Sequence, residues 1–365
     1  MRSMATEMPD RRTFLSGAIA AALPANSGWA DVGSPQYLSA ARTQNGLLHL
    51  VGLDDDIQKV FSVALPSRGH AAACHPDLPE AVVFARRPGR YAIVLDCLTG
   101  TVLAQLPANT ERHFYGHGVF SQDGSRLYTT ENAYELGEGR IGVWAADDGY
   151  RRVGEMWSGG IGPHDIKLLS ASGILVVANG GIDTHPESGR TKLNLPTMQS
   201  NLTYLSVHGE ILEQVETEPE LRLNSIRHLD VRSDDLVAFA CQWQADPFFD
   251  LMLQGTHRRG ETLSWLALGR ADRTPTYAGS IAFSRNGMRI GVTYPRSGGL
   301  ADWRLGDPCP GGWHDLKDAC GIAMRRSGFL VSSGTGTVAL LLENQWLREL
   351  HASTLSWDNH LITIR

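Results

Sequence analysis

Between Tyr37 and the C-terminus, short apolar runs alternate with clusters of Gly, Asp, Ser, Asn and Pro, a rhythm that fits strands and tight turns and not long helices. The segment "FYGHGVFSQDGSRLYTTEN", residues 114–132, shows the unit. A Gly-His pair opens one strand, Ser-x-Asp-Gly makes a turn, and a second strand runs through Leu127 and Tyr128.

That unit recurs. Copies begin at Gly69, Gly116, Pro163, Arg227, Gly279 and Ala319, each predicting a first strand, a turn and further strands. The final "NHLITIR" supplies one strand from His360, while "QYLSAART", "LLHLVGLD" and "IQKVFSVALP" near the N-terminus supply three strands with no partner before them. Six full copies and one copy shared between the two termini predict an all-β, seven-bladed β-propeller over residues 31–365, closed by pairing of N- and C-terminal strands in one blade.

One aligned position near the start of each copy holds, in order, His70, His117, His164, His228, Ser280, Cys320 and His360. With 13 histidines in 365 residues, chance places only about 0.25 at seven chosen positions, and five are found. First strands line the channel of a propeller, so these side chains are expected to converge at one mouth. Five imidazoles and a thiol facing one space suit a transition metal. The expected core is His70, His117 and His164, with His228 and His360 flanking. A competing reading has the histidines bracing hydrogen-bond networks within blades, but that role needs a Trp-Asp partner, and only Trp144 resembles one.

Loops between second and third strands lie on the same face, and two are long: residues 179–201 and 242–261. They are expected to bring His185, Arg190, Gln242 and Gln244 near the histidines, with Arg86, Arg87 and Arg296 on corresponding loops of other blades. Together these side chains would suit an anionic ligand or an acidic partner surface. Asp165, beside His164, is expected to face away from the channel by strand alternation, which leaves the ring without a carboxylate base.

Composition narrows the setting. A net charge of −6 and a pI near 6.1 argue against nucleic acid as a partner. Residues 1–30 carry Arg11-Arg12 before Phe14-Leu15, a mild apolar run and Gly28-Trp29-Ala30, which reads as a twin-arginine signal peptide and places the mature chain in the periplasm. The apolar run is too short for a membrane span, and the mature form is expected to be a monomer without one. In an oxidising compartment, Cys309–Cys320 and Cys74–Cys97 are candidate bridges, and a bridged Cys320 would not serve as a ligand.

The leader, "GHGVFSQDGSRLYTTEN", "GIGPHDIKLL", "VVANGGIDTHPESGRTKLNL", "SIRHL" and "CGIA" together resemble the bacterial family known as domain of unknown function 1513. The resemblance covers the mature chain. It implies a periplasmic seven-bladed propeller of the kind commonly encoded beside imelysin-type iron-uptake proteins, which are therefore the expected partners. Three functions remain open on the sequence: a metal-binding propeller serving iron handling, with copper as the alternative metal; a protein-interaction scaffold with structural histidines; and a metal-dependent enzyme acting on a small periplasmic substrate.

Overall fold

The computed structural model describes residues 27–86, 90–268, 274–307, 311–325, 328–342, 348–352 and 354–364. Most of the signal segment, Arg87 and Cys309 therefore lie outside the described residues. The chain forms seven antiparallel sheets, each continuous from an inner to an outer strand, in the order the repeats require. Blade 1 begins at Gly69 and blade 6 at Ala319. Blade 7 is the closing blade: Tyr37–Arg42 pairs on one side with Leu48–Leu53 and on the other with Ser356–Trp357 and Ile362–Thr363. The C-terminal segment is thus the innermost strand of a sheet whose other strands come from the N-terminus. Among the described residues no helix is long and apolar enough to cross a membrane.

Apolar side chains pack between blades. Phe84, Phe114, Leu127 and Trp144 form one such contact, and each fully buried large side chain contributes about 1.5–3 kcal/mol. Trp29 and Val32, in the turn Trp29–Val32, pack against the blade 7 and blade 1 core, and the Trp29 indole N–H donates to the His75 carbonyl at 2.9 Å.

Inner strands carry the feature that positions the site. Pairing with the second strand is interrupted at the histidine position in blades 1 to 3, between Gly69 and Ala72, Phe114 and Gly118, and Pro163 and Asp165, and in blade 4 at Arg227, directly before His228, which pairs with Ala240. Blade 6 is interrupted around Cys320, and in blade 7 residues 358–361 separate the two short inner strands at His360. Blade 5 carries Ser280 in this position and pairs without interruption. A bulge re-aims the side chain it carries and breaks the strict alternation of faces.

Two expectations are corrected here. The fourth-blade loop is shorter than its composition suggested, because Val237–Trp243 extends the second strand past Gln242 and Gln254–His257 forms the third. The Cys74–Cys97 bridge is not formed. Both are free thiols; the Cys97 N–H donates to the Pro79 carbonyl at 2.8 Å, and its thiol turns to Leu95 of its own strand, 4.0 Å away.

Candidate metal centre

The bulges bring five imidazoles into one knot on the channel axis. Ring centroids of His360 lie 4.7 Å from those of both His70 and His117, and His164 lies 5.0 Å from His117 and 4.9 Å from His228. Four of the residues are buried and His164 is half-buried. Close approach of the first two depends on Gly116. Its φ of +107° suits glycine, and a Cβ there would stand 2.4 Å from the His70 ring.

Potential donor atoms fall into two groups that share His117. His70, His117 and His360 have donor atoms within 4.8 Å of one another, and so do His117, His164 and His228. This differs from the expected core of His70, His117 and His164, because closure of the ring places His360 against His70 and His117, while the His70 and His164 rings are 5.7 Å apart.

Hydrogen bonding separates the ligand reading from the bracing reading. The buried nitrogens His70 Nδ1, His117 Nε2, His164 Nδ1, both nitrogens of His228, and His360 Nε2 have no hydrogen-bond partner. Bracing histidines would be bonded. In blade 2 the internal network is made by other groups: Arg152 bonds Glu131 at 2.6 Å, and the Trp144 indole N–H donates to Thr129 at 2.9 Å. Buried polar atoms left without partners are uncommon in native proteins, and this many in one place point to a ligand.

Nδ1 of His117 has a partner, and that partner orients the ring. Its Nδ1 lies 3.2 Å from Oδ1 of Asp165. Burial alone would raise the Asp165 pKa, but the Lys167 ammonium at 3.2 Å, His117 and the Leu229 N–H at 3.0 Å hold it well below the usual carboxylate range. The carboxylate can only accept, so Nδ1 of His117 carries a proton, and Nε2 is the nitrogen turned away from Asp165. Carboxylate–imidazole pairs of this kind orient metal-binding histidines and increase their basicity. Asp165 was expected to face away from the channel; the bulge at His164 is what turns it inward.

Electrostatics keep the other rings neutral. Burial lowers the pKa of His70, His164 and His360 well below the ordinary value, assisted by neighbouring imidazoles and by Arg86 and Arg68 at His70 and Arg227 at His164. His228 is lowered to about 3 by burial and then by His117. Neutral imidazole is the form that binds metals.

Cys320 does not join the knot. Although it holds the equivalent repeat position, its thiol donates to the Asp318 carbonyl at 3.1 Å, and burial followed by Asp318 pushes its pKa up to about 12. A thiol so disposed is a poor source of thiolate.

The knot lies between two cavities. One, of ≈ 380 Å³, opens beyond His117, His228, His360 and Asp165 toward the far ends of the inner strands. The other, of ≈ 320 Å³, lies over His70, His164 and His228 on the long-loop face. Of the loop residues expected there, Arg86, Arg190, Gln242, Gln244 and Arg296 all line this second cavity. His185 does not: its Nε2 bonds Glu135 at 2.9 Å on the exposed side of the loop.

Residues 63–364 match the family described as "Protein of unknown function (DUF1513)". The chain belongs to the DUF1513 family. A search of curated proteins found no match. Among solved structures, hydrazine synthase of Kuenenia stuttgartiensis is similar with a TM-score of 0.55 and 13% identity, over 71% of this chain and 70% of that one. A protein of unknown function from Bacteroides caccae is similar with a TM-score of 0.50 and 10% identity, over 91% of this chain and 100% of that one. At these identities the likeness concerns the fold alone.

In this DUF1513 protein each donor group offers three imidazoles, a set that leaves coordination positions open for water or a ligand oxygen. Sequence reasoning missed Asp165, Lys192 and Arg227. Arg227 directly precedes His228 in the bulge, and Lys192 sits in the long loop already singled out, so position in the repeat could have flagged both.

Proposed function

We propose that this DUF1513 protein is a metal-binding propeller, with His70, His117, His164, His228 and His360 holding a transition metal on the channel axis. The observation that carries the reading is the set of six buried imidazole nitrogens, on five rings from five blades, that have no hydrogen-bond partner. An imidazole donor set suits iron, copper, nickel or zinc. Iron is favoured through the family's association with imelysin-type proteins, and copper is the alternative. The twin-arginine leader supports a periplasmic location, where the protein would act as an accessory to iron uptake with an imelysin-type protein as partner.

The residues fit such a role without further change. His117, oriented by Asp165, would serve one ion at a time, completed either by His70 and His360 or by His164 and His228. Bound there, a metal ion would supply Lewis acidity or a redox couple at a site reached from the cavity over His70, His164 and His228. The test is elemental analysis of untagged protein recovered from the periplasm. About one equivalent of a single transition metal, removable by chelator and restored on adding that metal, is the expected result. Metal-free protein that also fails to take up iron, copper, nickel or zinc would overturn the reading.

A further inference from the structure

The cavity on the long-loop face is more than an entrance. Five cationic side chains line it, Arg86, Arg190, Lys192, Arg227 and Arg296, and no carboxylate does among the described residues. They come from four different blades, so their meeting is a product of the fold and not of a basic run in the sequence. Arg86 already shares Asp358, at 3.3 Å, with Arg68, whereas Arg190 and Lys192 stand exposed on the loop between Leu175–Asn179 and Asn201–Leu205. In a chain whose net charge is −6, such a one-sided concentration of positive charge is costly unless something negative sits in it.

The loop that presents Arg190 and Lys192 is held by its own bonds. Asn194 accepts from the Asp183 N–H at 2.7 Å and donates to the Gly181 carbonyl at 2.9 Å, while the Leu193 N–H donates to the Asp183 carbonyl at 3.0 Å. Arg296 lies over the Tyr277 ring, 4.2 Å from its centroid. Gln242 and Gln244 add uncharged polar groups to the wall. On the floor are His70, from one donor group, and His164 and His228, from the other.

We propose that this cavity binds a small oxyanion of at least two negative charges, a polycarboxylate or a phosphate, with its acidic groups on Arg190, Lys192 and Arg296 and one oxygen directed at the histidine knot. The inference deepens the metal-binding reading and rests on it only for that last contact. A volume of ≈ 320 Å³ is at the lower end of small-molecule sites, enough for a compact anion and not for a protein segment. Partial desolvation at the cavity wall, Arg227 and Arg296 all lower the Lys192 pKa, and an anion bound among them would relieve the repulsion from the two arginines. The protein would then receive or release its metal as an anionic chelate, the anion being held by charge while the imidazoles contact the ion.

Calorimetric titration of the mature protein, metal-free and metal-loaded, with citrate, inorganic phosphate and acetate tests this. Citrate or phosphate should bind at one site, acetate much more weakly, and the Lys192→Ala/Arg296→Ala double variant should lose about tenfold or more in affinity while keeping its thermal midpoint. Preference between citrate and phosphate identifies the source of the oxyanion. Absence of binding by both, or equal binding by the double variant, overturns the proposal even if the protein holds metal. Charge-dependent anion binding by a protein that takes up no metal would leave the anion site standing and remove the metal-binding reading instead.

Discussion

His117 of blade 2 and Asp165 of blade 3 face each other across a blade boundary, Nδ1 to Oδ1 at 3.2 Å. The same carboxylate accepts from the Leu229 N–H of blade 4 at 3.0 Å, so one side chain ties three inner strands while orienting the imidazole common to both donor groups. Asp230 makes the corresponding tie one blade further on, accepting from the Phe283 N–H at 2.7 Å.

Replacing Asp165 by Asn should therefore weaken metal binding without removing a ligand. The expected loss is about 10- to 100-fold in affinity, as for other groups that orient a ligating histidine. A competition assay with a chromophoric chelator measures it. Unchanged affinity in a folded Asp165→Asn protein would remove Asp165 from the site.

Gly116→Ala should be severe. Its Cβ would meet the His70 ring at 2.4 Å in a backbone conformation that alanine adopts only with strain. We expect a loss of about 1–3 kcal/mol in stability together with weakened metal binding, read by urea unfolding and by metal content.

Acid should destabilise the metal-free protein steeply. His70, His164, His228 and His360 have native pKa values below their unfolded value, His228 at about 3, so the unfolded chain takes up protons that the native chain does not. Stability present above the unfolded pKa of about 6.5 is lost as pH falls from there toward about 3, by about 1.4 kcal/mol per pH unit for each histidine. Urea midpoints of the metal-free protein at about pH 7 and about pH 5 should differ accordingly, and a flat profile would show that the rings are not buried neutral.

Thiol chemistry tests the cysteine placement. Cys74, Cys97 and Cys241 are free, and burial raises the pKa of each. They should resist alkylation in the native protein and react on denaturation without reductant. A Cys74–Cys97 bridge found by mass mapping would contradict the placement.

The ring of histidines was legible before the structure because a propeller converts one repeat position into one location: His70, His117, His164, His228 and His360 are spaced by blades and meet on the axis. The same logic failed for Cys320, which shares the position but bonds Asp318 instead. It failed for Asp165 because alternation assumes regular pairing, and the bulge at His164 suspends it. Lys192 and Arg227 were legible only as members of a loop and a strand; their meeting with Arg296 depends on how three blades are set around the axis. His185 shows the converse, a residue on the right loop whose ring is drawn to Glu135 on the outside.

Metal stoichiometry of His117→Ala beside His70→Ala tests the central claim most directly. His117 belongs to both donor groups and His70 to one. We expect His117→Ala to lose its metal entirely, and His70→Ala to keep the ion that His117, His164 and His228 can hold. Wild-type metal content in His117→Ala would contradict the assignment of the histidine knot as a metal centre.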